Sequence, residues 1–275
     1  MNVVMLILSV DLSIALLVLI YLAFLSIRFK LVDRTGTIAA FIIGLITLIF
    51  GGWKWFAILL TFYFLASFFT KYRYDLKCKL GVAEAKGGAR AWTNVIGNGG
   101  VAAFFAFAEG FLGGGAFFGG FLGAISTAAA DTLATELGLL YPRNPRLITN
   151  LRRKVPPGTS GAVSPYGEFA IFMASAIIGL IAIAINVDPC FSPIKILAIS
   201  MISGFIGSTF DSFLGATIQA QYWCEKCGKM SETPIHSCGA RANLVKGISF
   251  LNNHLVNFIS TALGGLMGYS LSFIL

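Results

Sequence analysis

Eight long apolar segments constrain the fold of this 275-residue chain more than any other feature. A helix that crosses a bilayer needs about 20 mainly apolar residues. The segments extend over residues 3–27, 37–52, 53–70, 94–109, 115–140, 168–187, 194–220 and 250–275. Because 57% of the residues are hydrophobic and only 12% are charged, we predict an all-α fold: one polytopic transmembrane bundle, residues 1–275, of about eight helices. Gly51-Gly52 alone divides the second segment from the third, which we expect to form a hairpin, and a seven-helix bundle is the alternative.

The positions of the basic residues predict the orientation of the bundle. Of the 20 Lys and Arg residues, all but Lys54 and Lys195 fall in four loops, residues 28–36, 71–93, 141–167 and 221–249. Lys and Arg accumulate in short cytoplasmic loops, so we predict a multi-pass protein of the cell membrane with these loops cytoplasmic and both termini outside. The net charge of +8 then reflects topology. It suits anionic headgroups or phosphates, and we expect no nucleic-acid partner.

Asp131 and Asp211 are the two acidic residues that most need an explanation, because each lies within an apolar segment rich in small residues. Ionisable residues at membrane depth are costly and usually functional. Each Asp lies about nine residues, or roughly 14 Å, from the inner end of its helix. Two adjacent carboxylates repel unless one is protonated or a cation joins them, and hard oxygen ligands suit Mg²⁺. We therefore predict a Mg²⁺ site, with two separately satisfied structural residues as the alternative.

Glu136 belongs to the same segment as Asp131 but points elsewhere. A separation of five residues rotates the side chain by roughly 140° around a helix, so the two carboxylates are not expected to chelate together. We expect Glu136 to pair with a basic loop residue or a second helix, and to support nucleotide binding only indirectly.

Several polar side chains enter the apolar segments from the basic loops. If the chain turns helical near Arg90, then Arg90, Asn94 and Asn98 share one helix face, because their spacing is four residues. Asn253 and Asn257 repeat this spacing in the last segment. Interfacial snorkelling and interhelical hydrogen bonding are the alternative roles for these residues.

The loop between the fifth and sixth segments is the part of the chain best suited to bind phosphate. Glycines allow backbone N–H groups to converge on an anion, and hydroxyl side chains add donors. No Walker A sequence is present, so the pattern indicates anion binding without specifying a nucleotide. The candidate residues are Gly158, Thr159, Ser160, Gly161 and Ser164.

Four soft metal ligands cluster in a cytoplasmic insertion, residues 222–244. Three cysteines and one histidine, Cys224, Cys227, His236 and Cys238, provide the donors of a closed tetrahedral zinc site. Disulfides are disfavoured in the cytosol, which leaves structural Zn²⁺ as the prediction and free thiols as the alternative.

Taken together, these motifs resemble those of the integral membrane family that includes plant phytyl-phosphate kinase and human transmembrane protein 19. The resemblance covers residues 33–268, and its motifs occur in the family's order. The chain has Asn252-Asn253 where the family has Asn-Asp. The matching stretches are Lys86-Gly-Gly-Ala-Arg90, Asn94, Asn98-Gly99, Ala130-Asp-Thr132, Glu136-Leu-Gly138, Pro145-Arg-Leu-Ile-Thr149, Val155-Pro-Pro-Gly-Thr-Ser-Gly-Ala-Val-Ser164, Asp211-Ser-Phe-Leu-Gly-Ala-Thr217 and Asn253 to Asn257.

The resemblance implies a CTP-dependent kinase that adds a phosphate to a prenyl monophosphate, with distant kinship to phytol and dolichol kinases and to phosphatidate cytidylyltransferases. Within that family pattern we expect Asp131 and Asp211 to hold Mg²⁺, with Lys86 and Arg90 clamping phosphates. Loop 158–164 and the four asparagines would bind the nucleotide or the isoprenoid phosphate.

Two other classes of function stay open at this point. A CTP-dependent polyprenol kinase or a lipid-phosphate cytidylyltransferase would use the same apparatus. An ion-coupled transporter would use Asp131 and Asp211 as ion ligands, although the polar residues gather on one side of the membrane. A homodimer is also left open.

Overall fold

The computed structural model describes residues 3–80, 83, 85–188, 191–236 and 238–275, and the side chains of residues 12–80, 83, 87–188, 191–228, 230–236 and 238–275. Long helices dominate the described part, with a short helical stretch and two small sheets between them. The helices are α1 (Val3–Arg28), α2 (Arg34–Lys71), α3 (Tyr74–Leu80), α4 (Ala85–Gly88), α5 (Trp92–Leu112), α6 (Ala116–Gly138), α7 (Pro165–Ala184), α8 (Pro193–Thr217) and α9 (Asn253–Ile274).

The predicted fold class is confirmed. Five of the described helices, α2, α5, α6, α7 and α8, are long and apolar enough to cross a membrane, and α1 contains a shorter apolar stretch, Leu12–Arg28. Helices α3 and α4 lie in a loop for which the sequence predicted no regular structure.

The long element α2 is a hairpin, as expected, and therefore supplies two of the predicted segments. Gly52 breaks it with a φ of 75° and a ψ of −176°, a backbone conformation that glycine adopts without steric cost. A Cβ added to Gly44 would meet the Phe56 ring at 3.3 Å, whereas 12 residues of straight helix would separate the two by about 18 Å. The two halves therefore fold back on each other.

Helix α6 is the centre of the bundle and packs against α2, α5, α7, α8 and α9. The α6 backbone lies directly against the α9 backbone. Cβ atoms added to Gly123 or Gly119 would clash with the carbonyl oxygens of Gly264 and Gly268. Small residues at helix interfaces allow this close approach in lipid. This close contact holds α6, the helix that carries Asp131, in position against α9.

The polar loops meet at one end of the bundle, which we call the basic end. The two lysines that lie outside the basic loops anchor the opposite end. Lys54 Nζ donates to the Asn186 carbonyl oxygen at 2.6 Å, and Lys195 Nζ donates to that of Ser272, also at 2.6 Å. The distribution of basic residues over the two ends thus agrees with the sequence pattern.

Two small antiparallel sheets cover the basic end. In the first sheet the strand order is β2-β1-β3, and in the second it is β5-β4-β6. The second sheet carries the Cys/His cluster and follows α8 directly. The strands are β1 (Arg146–Leu147), β2 (Asn150–Lys154), β3 (Ala162–Val163), β4 (Gln221–Cys224), β5 (Lys229–Ser231) and β6 (Asn243–Lys246).

Replacing Gly123 tests the α6–α9 crossing. We expect Gly123→Ala to destabilise the protein by about 1–3 kcal/mol, because the added methyl group overpacks a backbone contact. Gly100→Ala is the matched control, since its Cβ would meet only side chains, the nearest being Ile96 at 3.3 Å. Thermal unfolding in detergent measures both variants, and equal stability of the two would contradict the crossing.

Candidate functional site

Asp131 on α6 and Asp211 on α8 lie on neighbouring helices inside the bundle. Their carboxylates are close enough to interact electrostatically, and Asp211 is only 9% exposed. Asp131 also interacts with the guanidinium group of Arg90. The structure therefore brings together one cation and the two carboxylates that the sequence singled out.

Unpaired polar atoms surround these two carboxylates. Ser208 lies beside Asp131 and Ser260 beside Asp211, but neither hydroxyl forms a geometrically satisfactory hydrogen bond. Buried polar groups are normally hydrogen-bonded, so this cluster fits a site that binds a polar ligand. Within the described residues, four of the nine buried unpaired side-chain atoms belong to it: Arg90 Nε, Ser208 Oγ, Asp211 Oδ2 and Ser260 Oγ.

The donor set fits a hard divalent cation such as Mg²⁺. Carboxylate oxygens supply the charge, and Asp211 Oδ2 is an unpaired buried acceptor. Hydroxyl, amide and water oxygens complete the coordination of such ions in proteins. A cation would also relieve the repulsion between Asp131 and Asp211.

Arg90 is held in place by the backbone, although it precedes α5 instead of lying within it. The helix begins close to Arg90 without including it, because α5 starts at Trp92 with Ala91 as its N-cap. The Arg90 carbonyl oxygen accepts from Asp33 N at 3.0 Å, and its Nη2 donates to Thr70 Oγ1 at 2.9 Å. These contacts preorganise the guanidinium group beside Asp131.

The predicted asparagines come from two helices that touch. Asn98 donates from Nδ2 to the Asn94 carbonyl oxygen at 2.9 Å, and both side chains are buried. On α9, Asn257 is buried and Asn253 is half-buried. Thr261 Oγ1 donates to the Gly97 carbonyl oxygen at 3.1 Å, which ties α9 to α5.

Loop 158–164 is anchored to the end of α8. Gly158 and Gly161 have φ values of 80° and 76°, and a side chain on Gly161 would clash with Ala216. Thr159 Oγ1 donates to the Pro156 carbonyl oxygen at 2.7 Å, and Ser164 caps α7 by accepting from Gly167 N at 3.2 Å. Both hydroxyls therefore have structural partners.

Glu232 is a candidate residue that the sequence analysis missed. Its Oε1 accepts from Ser160 Oγ at 2.9 Å and from Gln219 Nε2 at 3.3 Å, and its charge interacts with Asp211. Although Glu232 is exposed to solvent, the protein atoms around it raise the pKa of its carboxyl above the ordinary value, and the two hydrogen bonds partly oppose this rise. Its position in the sequence does not predict that it lies near Asp211, because only the folding of the Cys/His loop places it there.

Glu136 and Lys86 are two further residues that the sequence predicted for the site. Glu136 Oε2 forms a buried ion pair with Lys77 Nζ at 2.6 Å, with side chains 9% and 1% exposed. The expected pairing with a basic loop residue is thus present, and its contacts give Glu136 a structural role, while its contribution to nucleotide binding stays a prediction. The Lys86 side chain lies outside the described residues.

The Cys/His cluster has the geometry of a metal site. One ligand atom from each of Cys224, Cys227, His236 and Cys238 lies within 4.8 Å of the others. Cys224 Sγ and Cys238 Sγ are 3.7 Å apart. A tetrahedral site with Zn–S bonds of about 2.3 Å requires an edge of about 3.8 Å, so the spacing fits Zn²⁺.

The thiols of this cluster influence each other's ionisation. The Ala240 backbone and the His236 side chain lower the pKa of Cys238 to about 6, whereas contact with Cys238 raises the pKa of Cys227 to about 11. Since thiolates are the metal-binding form of cysteine, a divalent cation would offset the repulsion that keeps the second thiol protonated.

Comparisons with known proteins place the chain among integral membrane proteins. A family model described as "Integral membrane protein DUF92" matches residues 17–265. Protein PGR of Arabidopsis thaliana is 31% identical, over 88% of this chain and 89% of its own. The uncharacterized membrane protein MJ0933 of Methanocaldococcus jannaschii is 29% identical, over 94% and 93%.

A further relative is Protein VTE6, chloroplastic, of Arabidopsis thaliana. It is 27% identical over 86% of this chain and 63% of its own length. No solved structure matches the chain.

The Lys77–Glu136 pair is testable by a double-mutant cycle. We expect Lys77→Met alone and Glu136→Leu alone to destabilise the protein by about 3–5 kcal/mol each, because each leaves an unpaired buried charge. The double variant should recover most of the lost stability. Thermal unfolding of the four proteins provides the measurement, and additive losses in the double variant would contradict a structural pair.

Proposed function

Because the chain belongs to the DUF92 family of integral membrane proteins, we propose that it is a CTP-dependent kinase that converts an isoprenoid monophosphate to the diphosphate. The observation that carries the proposal is that Asp131, Asp211 and Arg90 lie within electrostatic range of one another, among unpaired polar groups, inside an apolar bundle. The substrate class comes from the motif resemblance to the phytyl-phosphate kinase family. The protein would lie in the cell membrane with its basic end facing the cytoplasm, from which the nucleotide would bind.

In this proposal the two aspartates hold Mg²⁺. When bound, Mg²⁺ neutralises charge on the transferring phosphoryl group. Arg90 clamps phosphate oxygens from the side of α5, and Lys86, four residues earlier, is proposed to do the same. Ser208 and Ser260 complete the polar wall between the aspartates and the ligand.

The remaining candidates orient the two substrates. Loop 158–164 offers its backbone N–H groups to the nucleotide phosphates, since Gly158 and Gly161 adopt conformations that favour anion-binding turns. Asn94, Asn98, Asn253 and Asn257 lie on α5 and α9, where amides would orient the nucleotide or the acceptor.

The chemical step needs positioning more than a base. An oxygen of the acceptor monophosphate attacks the γ-phosphorus of CTP, the bond from that phosphorus to the β,γ-bridging oxygen breaks, and CDP leaves. The acceptor oxygen is already anionic, so no side chain has to remove a proton. The catalytic task of the protein is therefore alignment and charge neutralisation.

Labelled CTP separates this reaction from that of a cytidylyltransferase. Purified protein is incubated with Mg²⁺, a prenyl monophosphate and CTP labelled at either the γ- or the α-phosphate. We expect γ-label in the lipid diphosphate and α-label in CDP. Label in pyrophosphate and in a CDP-lipid would identify the cytidylyltransferase reaction, and ion flux in proteoliposomes without nucleotide consumption would indicate a transporter.

Substitution of either aspartate tests the central site. We expect Asp131→Asn and Asp211→Asn each to lower the transfer rate at least about 100-fold, because the amide removes the charge that binds the cation. The proteins should still purify as folded species, since an uncharged amide is less costly to bury than a carboxylate. Near-normal transfer by either variant would refute the assignment.

Glu109→Gln is the control for the aspartate variants. It makes the same carboxylate-to-amide change near the opposite end of the bundle, where Glu109 Oε1 accepts from Gly115 N at 3.0 Å. Its transfer rate should equal that of the unmodified protein.

We also propose that the Cys/His loop binds one structural Zn²⁺. Cys224→Ser should abolish the bound zinc and lower the melting temperature, because structural zinc sites contribute directly to folding, while part of the transfer activity is retained. Metal analysis and thermal unfolding provide the readout, with the exposed Cys78→Ser as control. Complete loss of transfer in a stable, zinc-free protein would contradict a purely structural role.

A further inference from the structure

An apolar cavity lies next to the acidic site, between α1, the two halves of α2 and the start of α5. Its volume is about 100 Å³. Its walls are mainly aliphatic and aromatic, with Phe41, Phe56 and Leu60 among them. The described polar residues that line it are Ser26, Thr37, Tyr63, Ser67, Arg90, Asn94 and Asn98, of which Arg90 alone is charged. The cavity therefore suits an amphiphile with one polar end.

The polar end of this cavity is suited to bind an anionic group. Arg90 Nε is a buried donor that finds no acceptor in the described part of the chain, and Asn98 Oδ1 is likewise unpaired on a side chain that is 3% exposed. A charged guanidinium group with a free donor is typical of phosphate and carboxylate sites. Inside the apolar part, Tyr63 and Ser26 already satisfy each other through a 2.6 Å hydrogen bond.

Arg90 also connects this cavity to the acidic site. The residue lines the cavity and interacts electrostatically with Asp131. A head group bound by Arg90 would therefore lie between the apolar cavity and the aspartate pair. This is the position in which an acceptor phosphate meets a phosphoryl donor held by the two aspartates.

The length of the cavity suits a single extended chain. Along the second half of α2 its wall runs from Phe56 to Ser67, which is about 16 Å at 1.5 Å per residue. This is roughly half of the hydrocarbon thickness of a bilayer, about 30 Å. A longer tail would therefore continue beyond the cavity, and only its proximal part would be enclosed.

We propose that this cavity, the tail chamber, binds the isoprenoid chain of the acceptor, with its phosphate held by Arg90 toward Asp131 and Asp211. The inference rests on the proposed function and adds the site at which the acceptor is recognised. Recognition is by an apolar chain carrying one anionic end group. The alternative occupant is a phospholipid of the bilayer.

Substitutions that narrow the chamber test its role in acceptor binding. Ala40 lines the chamber from α2 and Ala23 lines it from α1, so Ala40→Leu and Ala23→Leu should each fill part of it. We expect the KM for a twenty-carbon prenyl phosphate to rise about tenfold, because a narrowed chamber would bury about two fewer methylene groups of the prenyl tail. The KM for CTP and the transfer to a five-carbon acceptor should stay unchanged.

Ala57→Leu is the matched control. Ala57 is equally half-buried on α2 but does not line the chamber. An unchanged KM for the long acceptor in both chamber variants would overturn the proposal, as would the same rise in the control.

Photocrosslinking makes the failure of this proposal distinguishable from failure of the kinase assignment. A prenyl monophosphate with a diazirine in its tail is irradiated with the unmodified protein, and labelled residues are mapped by mass spectrometry. Labels on chamber residues that excess unlabelled prenyl phosphate suppresses support the chamber, even if no transfer is detected. Transfer with labels elsewhere, or equal suppression by phosphatidate, refutes it.

Discussion

The electrostatic problem of two carboxylates inside an apolar helical bundle governs the rest of the structure. Asp131 and Asp211 lie within interaction range of each other, where a low dielectric strengthens their repulsion and removes the solvation that water would supply. The protein supplies one cation, Arg90, and leaves neighbouring hydroxyl and carboxylate oxygens unpaired. That arrangement suits a bound divalent cation and anionic ligand better than it suits a permanently closed structural contact.

The packing of the bundle keeps these groups in position. Glycines let α6 and α9 touch along their backbones, and Thr127 Oγ1 donates to the Ser203 carbonyl oxygen at 2.9 Å to tie α6 to α8. Close packing and interhelical hydrogen bonds replace the hydrophobic effect as the basis of helix association in lipid. The buried Lys77–Glu136 pair holds α3 against the end of α6. Backbone pairing with the Leu31–Asp33 segment and a hydrogen bond to Thr70 of α2 hold Arg90 in place.

Much of this arrangement follows from local sequence pattern, and the rest depends on tertiary structure. Apolar length predicts the spans and Gly51-Gly52 predicts the hairpin, because each is a property of neighbouring residues. That α9 is the helix against which the α6 glycines pack is known only from the fold. The partner of Glu136 lies 59 residues away in sequence, and Glu232 reaches Ser160 across 72 residues, so no periodicity identifies either contact. The exact start of α5 is likewise not a local property: Arg90 pairs through its backbone with Val32, and the helix begins two residues later, at Trp92.

The claim that Asp131 and Asp211 share one divalent cation is tested most directly by titrating the purified protein with Mn²⁺, a spectroscopic substitute for Mg²⁺, and recording its electron paramagnetic resonance spectrum. In the presence of CTP, we expect one saturable Mn²⁺ site per chain, lost in both Asp131→Asn and Asp211→Asn and retained in Glu109→Gln. Binding of Mn²⁺ by either aspartate variant with the affinity of the unmodified protein would contradict this claim.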